Sequence, residues 1–232
     1  MRASGTGREL GTSCETLRAH LEALFGTLEP DCVLDVGANV GQFGEILRGV
    51  AYDGPIVSFE PCREPFEELE RRSADDETWR AEPLALGETD GTRTLRVAAS
   101  SLFSSFLEPS EYSLARTPEE SPVVAEEEVP TRRLDSWCAA EPDAARWGRI
   151  FLKVDTQGCD VEVVRGAAGI LDRVEALQVE GSFRHLYDGT PHFLDTLAFL
   201  GDAGFEPTGI FPVIRDSMLR LIEVDCVLVR AG

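Results

Sequence analysis

Between Val33 and Gly44 the chain reads VLDVGANVGQFG, an apolar run that meets Asp35 and then glycines at 37, 41 and 44. A glycine straight after a buried strand lets the backbone turn sharply and lets a ligand lie against bare amides. The order is Gly37-x-x-x-Gly41-x-x-Gly44, with Asn39 where the dinucleotide fingerprint G-x-G-x-x-G has its second glycine. The phosphate-loop pattern G-x-x-x-x-G-K-[ST] does not occur. Asp35, just ahead of the first glycine, would repel a pyrophosphate and attract an ammonium and a sulfonium, as in S-adenosylmethionine. In SFEP, Glu60 offers two acceptor oxygens to the vicinal diol of a ribose. NAD sites use such an acid too, so Glu60 alone leaves both cofactors open, and its plain reading is a neighbour of a helix start.

A second group of reactive side chains follows in FLKVDTQG. Strand alternation puts Phe151, Lys153 and Asp155 on one face. Lys153 is the only lysine of the sequence, and a buried ammonium needs a partner, so pairing with Asp155 is expected. Asp155 is the candidate base or orienting acceptor for a hydroxyl nucleophile, against the plainer reading of a structural ion pair at a strand end. Glu180, in LQVEGSF, ends the next strand, and with Asp155 it could hold Mg²⁺, since oxygen ligands suit a hard cation. Paired strand-end carboxylates also occur without metal. His185, in SFRHLYDG, is an alternative base beside Arg184 and Tyr187, whereas a lone histidine is more often a surface or capping residue. Ser104 and Ser105 could touch a cofactor or acceptor.

These groups need a scaffold that presents strand ends and loops on one edge. The apolar spacing of Leu17, Leu21, Leu24 and Phe25 gives a lead-in helix from Cys14 to Leu28, after a polar segment at 1–13 expected to be disordered. DCVLDVG and PIVSFEP read as strands, NVGQFGEILRGV and REPFEELERRS as the helices after them. WRAEPLALGETDGTRTLRVAA holds two strand-like runs around the turn signal Asp90-Gly91. Residues 100–128 read as a long loop or lid. Strand, helix, strand, helix and a closing hairpin follow in RIFLKVDTQG, CDVEVVRGAAGIL, VEALQVEG, PHFLDTLAFLGDAG, FEPTGIFPVIR and MLRLIEVDCVLVR. The alternation predicts a doubly wound, mostly parallel α/β sheet in one domain over 14–232, with an antiparallel strand inserted by the hairpin.

Composition narrows the partners. Forty-two acidic against 22 basic residues leave a formal charge of −20, which argues against a nucleic-acid partner or an anionic membrane. No stretch of uncharged apolar residues is long enough to insert into a membrane. Six cysteines without a C-x-x-C pair indicate reduced thiols rather than a zinc knuckle or a disulfide framework. The expectation is a cytoplasmic protein, with homo-oligomerisation left open.

Taken in order, VLDVGANVGQFG, SFEP, PLALGETDG, LDSW, FLKVDTQGCDVEVVRGA and LQVEGSF resemble the FkbM-type S-adenosylmethionine-dependent methyltransferases over roughly residues 31–230. The resemblance implies the Rossmann-like class I methyltransferase fold, seven strands with the last antiparallel, and O-methylation of hydroxyls on small molecules, sugars or glycolipids. It implies that Asp35, Gly37, Ala38, Asn39, Gly41 and Gln42 form the cofactor loop, that Glu60 is the ribose acid and that Ala85 and Leu86 lie beside adenine. Asp155, Gln157 and Gly158 match the family block after the central strand, with Cys159 where an aromatic is usual and Asp160 where glutamate is usual. Two other readings stand beside it: a methyltransferase-like module that binds cofactor without turnover, and an NAD-dependent Rossmann oxidoreductase, which the missing glycine disfavours.

Overall fold

The computed structural model describes residues 16–232, so the expectations for residues 1–13 and for the helix start at Cys14 lie outside the described residues. Thr16 caps α1 (Leu17–Leu28), its hydroxyl accepting the Ala19 amide, and the helix buries Leu21 and Phe25. β1 (Cys32–Val36) and β2 (Ile56–Phe59), buried along their lengths, flank α2 (Gln42–Gly49). After α3 (Arg63–Ser73) come β3 (Trp79–Glu82), β4 (Ala85–Leu86), β5 (Gly91–Ala98), α4 (Glu111–Arg116), β6 (Val123–Arg132) and α5 (Leu134–Ala140). The chain then runs through β7 (Ile150–Val154), α6 (Asp160–Gly166), β8 (Val174–Ser182), α7 (Phe193–Asp202), β9 (Phe205–Arg215) and β10 (Leu221–Arg230).

Seven strands form one sheet in the order β3-β2-β1-β7-β8-β10-β9. β10 runs antiparallel between β8 and β9, and the strands from β3 to β8 are parallel. The architecture is the doubly wound class I arrangement that the resemblance implies, closing hairpin included. Strands buried along their whole length need cover on both faces. Leu21, Phe25, Phe43, Leu47 and Leu69 of α1 to α3 pack with Phe151 on one side, while Trp137, Val163, Val164, Phe193 and Leu200 of α5 to α7 pack with Leu34, Leu152 and Leu177 on the other. The strand order reverses between β1 and β7, so a crevice opens at the carboxyl ends of these two strands, the place where ligands bind in such sheets.

Two expectations differ from the structure. The two strand-like runs around Asp90-Gly91 become β4 and β5 but do not join the main sheet: β4, β6 and β5 form a separate three-stranded sheet with β6 in the middle. The stretch 100–128, read as a loop or lid, contains α4 and gives way at Val123 to the ten-residue strand β6. Most of β6 is exposed, so its VVAEEE start lacks the apolar alternation that marks a half-buried strand. Backbone pairing with β5 along Gly91–Ala98 holds it instead.

Candidate active site

Gly37, the residue after β1, has φ +74°, and a Cβ placed there would collide with the Asp155 carbonyl oxygen. Only glycine lets the ends of β1 and β7 lie this close. The amides of Gly37 and Ala38 both donate to the Phe59 carbonyl at 3.0 Å, tying the turn to β2. Asn39 follows with φ +47°, and its N–H donates to Glu60 Oε2 at 2.8 Å, while the Cys62 N–H donates to Oε1 at 2.8 Å. Glu60 is 6% exposed. Burial pushes its carboxyl up to about 7, against the pull of the two amides and of Lys153. Each oxygen keeps a lone pair, and the residue lines a cleft of about 660 Å³. Leu84, Ala85, Leu86, Leu95 and Phe106 give this lobe an apolar wall, and Ser101 to Ser105 close its rim.

A second lobe meets the first at Gly37, Asn39, Leu102 and Asp155. Its floor is Lys153, Asp155, Gln178 and Asp225, and its apolar wall is Leu17, Phe43 and Ile46. Lys153 Nζ donates to the Gly37 carbonyl at 2.9 Å and pairs with Asp35 Oδ1 at 3.2 Å and Asp155 Oδ2 at 3.5 Å. Burial works against the ammonium, but the Asp35 and Asp155 carboxylates outweigh it and hold its pKa above the ordinary lysine value. The Lys153–Asp155 pairing expected from alternation is therefore present, with Asp35 as the nearer partner.

Gln157 links the carboxylates at the ends of β7 and β8. Its Nε2 donates to Asp155 Oδ1 and to Glu180 Oε2, each at 3.0 Å, and its Oε1 accepts from the Tyr187 hydroxyl at 2.8 Å. Gln157 sits at φ +52°, a conformation uncommon for a non-glycine residue and typical of functional sites. Ser105 Oγ donates to the Gln157 carbonyl at 2.7 Å, joining the rim to this turn. Burial, then repulsion from Asp155 and Glu223, raises Glu180 well above the ordinary carboxylate range. An amide thus lies between the two carboxylates considered as Mg²⁺ ligands. Among the described residues, no group of three or more histidine, cysteine, aspartate or glutamate side chains is arranged to hold a metal ion.

Of the residues singled out in the sequence, Gly37, Asn39, Glu60, Ala85, Leu86, Ser104, Ser105 and Asp155 line the first lobe, and Ala38, Gln42 and Lys153 line the second. Asp35 does not reach either lobe. It is fully buried under the loop, where the Ser58 hydroxyl donates to Oδ2 at 2.9 Å and Lys153 neutralises it, so it acts on a ligand only through Lys153. Gly41, with φ +92°, starts α2 and faces Leu69 and Trp79, not the cleft. His185 is exposed, with its ring 6.3 Å from that of His192 and outside both lobes. Three residues past β8 the chain has already turned away from the crevice, and Tyr187 points back in its place. Sequence reasoning missed Ser101, which accepts from Asn39 Nδ2 at 3.0 Å, and the wall residues Leu95 and Phe106. The Ser-rich stretch SSLFSSF signalled the rim, but nothing local marks a β5 residue as lining the cleft.

Residues 35–207 match the family model of the methyltransferase FkbM domain. The chain belongs to the FkbM methyltransferase family. No curated protein matches the sequence. This FkbM methyltransferase is similar in fold to the precorrin-6y C5,15-methyltransferase from Geobacter metallireducens GS-15, at 11% identity and a TM-score of 0.50, over 98% of this chain and 94% of that one. It is similar also to Streptococcus pneumoniae Sp1610, a putative tRNA (m1A22) methyltransferase, at 12% identity and a TM-score of 0.50, over 94% of this chain and 72% of that one. Among the described residues of the FkbM protein, no helix is long and apolar enough to cross a membrane.

Proposed function

We propose that this FkbM methyltransferase uses S-adenosylmethionine and methylates a hydroxyl of a small molecule, a sugar or a glycolipid. The observation that carries the reading is the meeting of two lobes at Gly37 and Asp155, one with an apolar wall beside the Glu60 carboxylate and the other ending on a strand-end carboxylate. The residues fit the cofactor. Gly37, where a Cβ would strike the Asp155 carbonyl, lets the ends of β1 and β7 close together beneath the cleft, Glu60 keeps acceptor capacity for ribose hydroxyls, and Leu84, Ala85, Leu86 and Leu95 offer an apolar slot for adenine. S-adenosylmethionine, when bound, supplies a methyl group on a sulfonium, open to in-line attack by oxygen.

The chain's own part is alignment and proton handling. An alcohol is a weak nucleophile while it keeps its proton. Asp155, with its side chain 34% exposed at the junction of the lobes, is the acceptor for that proton. Lys153 and Gln157 fix its two oxygens from opposite sides, at 3.5 and 3.0 Å, so the carboxylate is pre-oriented. Five buried, unpaired cysteines at 32, 62, 138, 159 and 226 suit a reducing, cytoplasmic setting.

Calorimetric titration with S-adenosylmethionine, S-adenosylhomocysteine and NAD tests the cofactor, followed by a radiolabelled methyl-transfer screen over hydroxylated acceptors. Micromolar binding of both adenosyl ligands with transfer to an oxygen is the expected result. Binding of NAD alone overturns the reading, and tight adenosyl binding without transfer to any acceptor favours the silent module.

A further inference from the structure

Beyond the cofactor lobe, three sheet positions place carboxylates side by side. Asp225 is the cross-strand partner of Glu180, and Asp155 follows Val154, whose partner Val179 precedes Glu180. One step outward on the same face, Glu223 partners Ser182. Four acids therefore share one shelf at the carboxyl ends of β7 and β8 and the facing part of β10.

The nearby cations are committed. Lys153 spends its ammonium on Gly37, Asp35 and Asp155, and Arg116, which draws Glu223 down, donates to the Arg215 carbonyl at 3.0 Å. Burial and mutual repulsion accordingly push Glu223 up to about 7 and Asp225 up to about 6. The ammonium of a bound S-adenosylmethionine would match one of these charges and leave the rest.

One further atom asks for a donor. Gln178 is 3% exposed, and its Nε2 donates to Asp225 Oδ1 at 3.1 Å, but its carbonyl Oε1 has no partner and the residue lines the second lobe. A buried acceptor without a donor is costly, and the donors at this shelf are already spent, Gln157 Nε2 on Asp155 and Glu180 and Lys153 Nζ on Gly37, Asp35 and Asp155. The ligand that answers both the charge and the orphaned carbonyl is a cationic N–H donor.

We propose that the acceptor of this methyltransferase carries a protonated amine, which docks on the shelf of Asp155, Glu180, Glu223 and Asp225 while the acceptor hydroxyl faces Asp155. The inference rests on the O-methyltransferase reading for the identity of the hydroxyl, but the amine site stands on the shelf itself.

The test is calorimetric titration of the full chain saturated with S-adenosylhomocysteine, with spermidine as the cationic probe and butane-1,4-diol as its neutral counterpart. Spermidine is expected to bind and the diol to give no heat. The double variant Glu223→Gln/Asp225→Asn, still binding S-adenosylhomocysteine, should weaken spermidine at least tenfold. Asp225→Asn alone replaces it if the double variant does not fold. Glu119→Gln/Glu126→Gln removes the same charge from exposed positions away from the shelf, and should change spermidine binding less than twofold. No heat from spermidine, or equal weakening by the surface variant, overturns the proposal. A protein that fails to bind S-adenosylhomocysteine refutes the cofactor reading instead, and the spermidine arms on the free protein still decide the shelf.

Discussion

Lys153 Nζ lies 3.2 Å from Asp35 Oδ1, and the two side chains are 6% and 0% exposed, so a complete ion pair is held out of water under the Gly37 turn. Removing one member of such a pair leaves an uncompensated buried charge. Lys153→Met should destabilise the protein by about 3–5 kcal/mol, read by urea unfolding. The double variant Lys153→Met/Asp35→Leu should recover most of the loss, because it removes both charges together. A single-variant loss under about 1 kcal/mol, the scale of an exposed pair, would show that the pair is solvated.

The buried acids set the pH dependence of stability. Burial raises Glu60, Asp160 and Glu223 to about 7 and Asp225 to about 6, from ordinary values of 4.5 for glutamate and 3.8 for aspartate. Across that window the folded protein binds more protons than the unfolded chain, so stability falls as pH rises. Hydrogen-bonded pairing with Arg48 and Arg133 lowers Asp76 and Asp135, whose contribution is lost as pH falls through the acid range. Urea unfolding should thus show a maximum near about pH 5 and a less stable protein at about pH 8, with a shallower fall in Glu223→Gln. Stability that climbs steadily to pH 8 would contradict these protonation states.

Gly37→Ala places a methyl group on the Asp155 carbonyl at a backbone angle that alanine rarely adopts. It should abolish S-adenosylhomocysteine binding. Gly26→Ala, where nothing lies within 4 Å, is the control that leaves binding unchanged. Retained affinity in Gly37→Ala would move the cofactor away from this turn.

Asp155→Asn should lower turnover about 10²-fold or more with S-adenosylhomocysteine affinity within tenfold. His185→Ala, outside both lobes, should stay within twofold of the parent. Tyr187→Phe removes the hydroxyl that donates to Gln157 Oε1, and it should lower turnover without weakening the adenosyl ligand. A large effect of His185→Ala would return the base role to the histidine.

Exhaustive dialysis against EDTA should leave the rate unchanged, because Gln157 Nε2 already donates to both Asp155 and Glu180. A rate restored only by added Mg²⁺ would mean that this amide turns its oxygen inward to serve as a third ligand.

The sheet was legible because its strands are buried on both faces and mostly apolar, with Asp35 and Lys153 the charged exceptions in Cys32–Val36 and Ile150–Val154. The Gly37 turn was legible for a related reason: its glycine answers a backbone demand that sequence shows directly. β6 was not, since backbone pairing rather than burial fixes it and its VVAEEE start carries no period. The role of Asp35 was misread because a strand-end acid points into the cleft or beneath it according to which face its residue occupies, and only the register with Lys153 decides that. Gln157 gave no sign of bridging two carboxylates, since its left-handed backbone is set by the packing of the turn.

Within this sequence a lysine-specific protease has one place to cut, after Lys153, in the middle of the central sheet. Cleavage would separate residues 1–153 from 154–232 and cannot proceed while β7 stays paired on both sides. Local fraying of helices or loops would be invisible to such an enzyme. The appearance of those two fragments would therefore time the opening of the sheet itself, and ligand that slows their appearance would be measured without any assay for methyl transfer.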